Sequence, residues 1–169
     1  MKQESFVAID FETADQGADS ACALALVRVE QGEIAHKFVR LIRPPRPHFS
    51  GFNIRVHGIR WRDVENQPTF GDLWPEVREV LDGVGVLYAH NMPFDRRVLG
   101  AVCAVYGIGM PEVEYRCTVS LAREVWGIRP TKLPNVCDYL GIGLRHHDPL
   151  SDAEACARIV MAAEIVVPS

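Results

Sequence analysis

The sequence has no apolar run long enough to cross a bilayer, which excludes a helical membrane protein. Its first residues lack the layout of a signal peptide, so a cytoplasmic protein is expected. Cysteine is sparse and unpaired in pattern. Cys22, Cys103, Cys117, Cys137 and Cys156 are scattered, odd in number and form no CxxC. That excludes the usual zinc and disulfide spacings and leaves reduced core thiols as the expectation. There is no internal repeat, low-complexity tract or linker. Net positive charge is also missing: 18 Lys and Arg against 22 Asp and Glu give −4. Taken alone, this speaks against a polyanionic partner.

The distribution of charge speaks the other way. Lys37, Arg40, Arg43, Arg46, Arg55, Arg60 and Arg62 follow one another with no acidic residue between them. Local sign governs the steering of a polyanion more than the total does, so phosphate contact by part of this segment is expected. The 169 residues, 48% hydrophobic and 24% charged, read as one globular domain over 1–169.

Period-two and apolar runs predict strands from Ser5 to Phe11, Cys22 to Val29, Glu33 to Ile42 and Val84 to Ala89. Glu30-Gln31-Gly32 joins the second and third as a hairpin. Pro44 to Ser50 reads as an ordered surface loop. Helical spacing is found from Thr69 to Leu81 and from Pro93 to Tyr106, the latter with a stripe of Phe94, Val98, Ala101 and Val105. Thr118 to Trp126, Leu133 to Leu140 (closed by Gly141) and Ser151 to Val166 are also expected to be helical. A Ser151/Glu154 capping box is expected to start the last. This order implies an α/β fold, a mixed sheet covered by helices.

The chemistry lies in four carboxylates. Asp10 and Glu12 end the first strand and share a face, because side chains alternate along a strand. Two like charges at a core edge repel, and one stays protonated unless a cation sits between them. Oxygen-only donors suit Mg²⁺ or Mn²⁺. Asp95 falls in the first turn of the Pro93 helix, and its angle from the apolar stripe aims it at the strand end rather than into the core. Asp152 falls in the first turn of the last helix, with His147 five residues before it on a loop, where an imidazole can take a proton from water near neutral pH. Ala153, Ala155, Cys156 and Ala157 let that helix approach the sheet closely.

Asp10-Phe11-Glu12-Thr13, His90-Asn91-Met92-Pro93-Phe94-Asp95 and His147-Asp148-Pro149-Leu150-Ser151-Asp152 together resemble the three motifs of the DEDDh exonucleases. His57-Gly58-Ile59 resembles an element of the members similar to the epsilon proofreading subunit of bacterial DNA polymerase III. The five-residue interval from His147 to Asp152 matches the family's histidine; His146 is out of register. The resemblance implies a ribonuclease H-like fold, a mixed five-stranded sheet with helices on both sides. It implies a 3′–5′ exonuclease that releases nucleoside 5′-monophosphates from single-stranded or frayed ends. It also implies two divalent cations, Mg²⁺ or Mn²⁺, roughly 3.5–4 Å apart. Asp10 would contact both, Glu12 and Asp152 the ion nearer the attacking water, and Asp95 the other. His147 would be the general base. Phe11, Thr13, His57, Asn91 and Phe94 correspond to positions around the terminal nucleotide. The His-Gly-Ile element favours DNA over short RNA, and the presence of all five site residues disfavours a binding module without catalysis. A polymerase partner is left open. The short stretch after the last helix reads as a free-standing or weakly associated enzyme.

Overall fold

In the computed structural model, which describes residues 4–167, the three N-terminal alternations form β1 (Phe6–Thr13), β2 (Ala21–Glu30) and β3 (Glu33–Leu41). They pair antiparallel in sequence order. The β2–β3 link is a two-residue turn in which both Gln31 (φ 52°) and Gly32 (φ 78°) are left-handed, the backbone that matches strand twist. β4 (Val86–Ala89) joins β1 in parallel, and β5 (Glu114–Cys117) joins β4 in parallel. The sheet order is β3-β2-β1-β4-β5, a mixed five-stranded sheet with β1 at its centre. β5 escapes sequence reading because its Glu-Tyr-Arg-Cys run is short and half-exposed, with too little apolar content to signal a strand.

Helices cover both faces. The odd residues Val7, Ile9 and Phe11 of β1 pack with α3 (Phe70–Leu81) and α4 (Met92–Val105). The even residues Phe6 and Ala8 pack with α7 (Pro149–Val166), through Ala153, Cys156, Ala157 and Val160. Small side chains on both sides of that contact, Ala8 and Ala25 against Ala153 and Ala157, allow the close approach expected from sequence. α5 (Thr118–Trp126) and α6 (Leu133–Leu140) pack on the outer side of α7 through Ala122, Val136, Ala155 and Ile159. Two short helices, α1 (Gly51–His57) and α2 (Trp61–Val64), lie in a region to which sequence periodicity assigned nothing. α1 buries no residue, so it carries no apolar stripe to detect. Ser50 caps its start by accepting from Asn53 N, and Gly58 at φ 75° ends it.

Two local expectations are corrected. The buried face of α4 is Met92, Asp95, Val98, Leu99, Val102 and Cys103, whereas Val105 is 46% exposed. The stripe is rotated because α4 packs on the sheet beside α3 and buries Leu99 and Val102, which the sequence reading left out. Asp95, at 3% exposure, is on the buried side. The start of α7 is likewise two residues earlier than expected. Asp148 is its N-cap, accepting from Leu150 N and Ser151 N, with Pro149 in the first turn. Ser151 is inside the helix, and its Oγ accepts from Arg145 N at 2.8 Å.

Candidate active site

Asp10 and Glu12 continue the row of Phe6 and Ala8, the row that faces α7. Where that row turns from apolar to acidic, the first turn of α7 brings up Asp152. Carboxylate oxygens of Asp10, Glu12 and Asp152 lie within 4.8 Å of one another. β4 pairs with β1 only as far as Ala8, so the two strands part just before the acids. Asp95, from the start of α4, fills that parting, and its Oδ1 accepts the Phe11 N–H at 2.9 Å. It therefore meets the strand end as expected, but from a buried position.

Four acids this close and this dry oppose their own ionisation. Burial first, then the Asp95, Glu12 and Asp152 charges, holds the Asp10 carboxyl well above its usual range. Burial, with Asp152 and Asp95, lifts Glu12 to about 8. Burial lifts Asp95 to about 8 against the opposing bond from Phe11 N. Asp152 is raised as well, by burial, with His146 and His147 pulling the other way. Asp10 Oδ2 is buried and has no hydrogen-bond partner among the described residues. An anionic oxygen buried without a donor is costly unless a cation meets it. The donor set, all oxygen, fits a divalent ion such as Mg²⁺ or Mn²⁺, held by Asp10, Glu12 and Asp152.

Two histidines stand over Asp152. His147 is in the left-handed region at φ 70°, and its backbone N–H donates to Asp152 Oδ2 at 3.0 Å. Its ring stacks on His146 at 3.7 Å between centroids. The His146 Nδ1 lies 3.3 Å from Asp152 Oδ1. Thus His146 meets the carboxylate with its ring and His147 with its backbone. Burial and the neighbouring His146 push the His147 imidazole below its ordinary pKa, so it is neutral at pH 7.

Of the other residues singled out in the sequence, Thr13, His57 and Phe94 line one cavity of about 210 Å³ beside Glu12. Asn91 is on the other side of the carboxylates, in a cavity of about 530 Å³ that also touches Asp10, Lys132, His146 and Asp152. The Phe11 ring is in the core against Phe70, and only its backbone faces the site. His57 accepts the Ile59 N–H at Nδ1 (3.0 Å), which leaves Nε2 to donate to Thr13 O at 2.9 Å. Burial lowers its pKa and keeps it in that neutral form. Asn53 donates from Nδ2 to Thr13 O at 2.8 Å, so α1 grips the strand end twice. Asn53 and Phe52, which is 62% exposed at the cavity, were not foreseen; the helix that carries them leaves no periodic signal. His90 is a bracket: its ring nitrogens lie 2.9 Å from Thr118 Oγ1 and 2.9 Å from Thr131 O, tying the start of α4 to α5 and to the turn before α6.

The arginine-rich segment divides. Lys37 pairs with Glu154, Arg40 stacks on Phe38 and pairs with Glu76, and Arg46 is held by Asp15 and Asp19. Arg55, Arg60 and Arg62 are exposed. Among the described residues no helix is long and apolar enough to cross a membrane.

Residues 7–160 match the RNase T family model, described as exonuclease. A PolC-type DNA polymerase III of Thermotoga petrophila is 31% identical over 161 residues, 93% of this chain and 12% of that protein. The 3′-5′ exonuclease DinG of Bacillus subtilis is 32% identical over 168 residues, 95% of this chain and 18% of that protein. The chain thus spans under a fifth of the length of either relative. Among solved structures, exonuclease X in complex with 5′ overhanging duplex DNA matches with a TM-score of 0.78 and 25% identity, over 97% of this chain and 93% of that one.

Proposed function

On the premise that this chain belongs to the RNase T exonuclease family, we propose that it is a divalent-metal-dependent 3′–5′ exonuclease acting on DNA ends. The observation that carries the reading is the buried, partnerless Oδ2 of Asp10 among the Glu12 and Asp152 carboxylates. The 3′–5′ direction is supported by the likeness to DinG and the choice of DNA by the likeness to a DNA polymerase and to a DNA-bound exonuclease.

In this mechanism Asp10, Glu12 and Asp152 would hold the divalent metal, with Asp95 as the fourth carboxylate of the site. When bound, divalent ions supply charge for the scissile phosphate and the leaving 3′ oxygen. Glu12, Thr13, His57 and Phe94 form the pocket for the terminal nucleoside, with the Phe11 backbone beneath it. His57 is spent on Thr13 O and so acts by shaping that pocket rather than by moving protons. His147 is the general base. Burial and His146 lower its pKa, which favours the neutral imidazole that takes a proton from the attacking water. The His147–Asp152 backbone bond sets where that ring can swing.

The test is degradation of 3′-labelled single-stranded DNA, duplex DNA and RNA of one sequence, with Mg²⁺ or Mn²⁺, with EDTA, and with Asp10→Ala. Metal-dependent release of nucleoside 5′-monophosphates from the DNA 3′ end is expected, with EDTA and Asp10→Ala both silent. Full activity in EDTA overturns the metal site. Faster cleavage of RNA transfers the reading to an exoribonuclease, and binding without shortening to a catalytically silent module.

A further inference from the structure

One arginine of the basic segment is engaged by two acids of its own chain. Arg46 grips both oxygens of Asp15, with Nε–Oδ2 at 3.0 Å and Nη2–Oδ1 at 2.7 Å, and holds Asp19 Oδ1 through Nη1 at 2.9 Å. The loop between β1 and β2 is wound around this guanidinium. Gly17 N donates to Asp15 Oδ1 at 2.7 Å. Ser20 Oγ accepts from Asp15 N at 3.1 Å and donates to Gly17 O at 2.6 Å. A Cβ on Gly17 would collide with the Arg46 guanidinium and crowd Asp15 and Asp19. Asp15 is buried, and the Arg46 and Gly17 bonds outweigh its burial and hold its carboxyl below the usual range.

The same loop is a wall of the cavity beside Glu12. Asp15, Gln16 and Gly17 line it together with Thr13, His57 and Phe94, whereas Arg46 does not reach it. We propose that Arg46 is a positioning residue that fixes loop 15–19 as the wall of the terminal-nucleoside pocket, acting through Asp15. The inference rests on the exonuclease reading of that pocket. A two-pronged guanidinium–carboxylate grip constrains direction as well as distance, which a single ammonium does not. Without it, Asp15 and Asp19 are like charges on one short loop with no cation between them, and the pocket lacks one side for part of the time.

Two unlike perturbations test one contact. Arg46→Ala removes the grip, and Gly17→Ala keeps every charge but displaces the guanidinium. For each, binding of dTMP is measured by calorimetry, and kcat and KM on a labelled single-stranded oligonucleotide. If the wall is formed only about a tenth of the time, Kd and KM rise about tenfold in both variants, while kcat is retained because the carboxylates are untouched. Hydrogen exchange at the Gly17 amide should accelerate in both. Asp19→Asn keeps the Asp15 grip and should change little. If Arg46→Ala does not fold, Arg46→Lys, which keeps the charge without the fork, carries the same expectation. Unchanged Kd and KM in both variants, or kcat falling in step with thermal stability, overturns the proposal. A wild type that binds dTMP and cuts DNA normally beside unaffected variants refutes this role alone. A wild type that does neither overturns the exonuclease reading and this role with it.

Discussion

Replacing Glu12 with glutamine should make the metal-free protein more stable at pH 8 while abolishing its turnover. The carboxyl is raised from 4.5 to about 8 in the folded state. A group raised in this way costs nothing below its unfolded pKa, where it is protonated in both states. Its contribution is lost progressively as pH climbs from 4.5 through 8. At about 1.4 kcal/mol per pKa unit, the loss is about 3 kcal/mol at pH 7 and about 5 kcal/mol above pH 8, as an upper bound. Water penetration and side-chain relaxation reduce such figures, so a gain of about 2–3 kcal/mol at pH 8 is expected for the neutral isostere. In a domain of this size that is about 5–10 °C in unfolding temperature. The assay is thermal unfolding in EDTA from pH 5 to pH 9, wild type beside Glu12→Gln. The advantage should grow with pH and shrink when Mg²⁺ is added, because the ion stabilises the wild type and the variant has lost a ligand. A variant no more stable than wild type at pH 8, or an advantage undiminished at pH 5, refutes the electrostatic account of the site.

His147→Ala should lower kcat by about 10²–10⁴, the usual worth of a general base, and flatten the acid limb of the pH–rate profile. His146→Ala, measured alongside it, should cost less, and the reverse order would give the proton transfer to His146. Asp148→Ala should destabilise the protein by about 1 kcal/mol by uncapping α7, whereas Ser151→Ala, read by the same denaturant titration, should cost less. Ala157→Leu should lift α7 from the sheet at a cost of about 1–3 kcal/mol and should weaken metal binding, followed by titration calorimetry, because Asp152 rides on the same helix.

The parts of the site that were legible from sequence are those fixed by local periodicity. Alternation along β1 alone puts Asp10 and Glu12 on one face, and the structure extends that face to Asp152. Helix position alone put Asp95 near the strand end. That it is buried follows from β4 parting from β1 beyond Ala8, a long-range event with no local signature. The start of α7 was misread because Ser151 and Glu154 satisfy the spacing of a capping box. Asp148, with proline after it, makes the better cap, since its carboxylate accepts two N–H groups at once. α1 was invisible because it is held by Asn53 and His57 gripping Thr13 rather than by an apolar stripe. For the basic run, a sequence shows where cations cluster, whereas the structure shows that Lys37, Arg40 and Arg46 are engaged by acids of their own chain and that Arg55, Arg60 and Arg62 are exposed.

The central position of β1 has a consequence for the life of the molecule during synthesis. Asp10 and Glu12 lie on β1 and leave the ribosome long before Asp152, which is carried by α7. Until α7 docks, the two early acids have neither their third partner nor the histidine loop that precedes it. On the proposed function, a chain without α7 lacks one of the three carboxylates that would hold the metal, so cutting is expected only once α7 has docked.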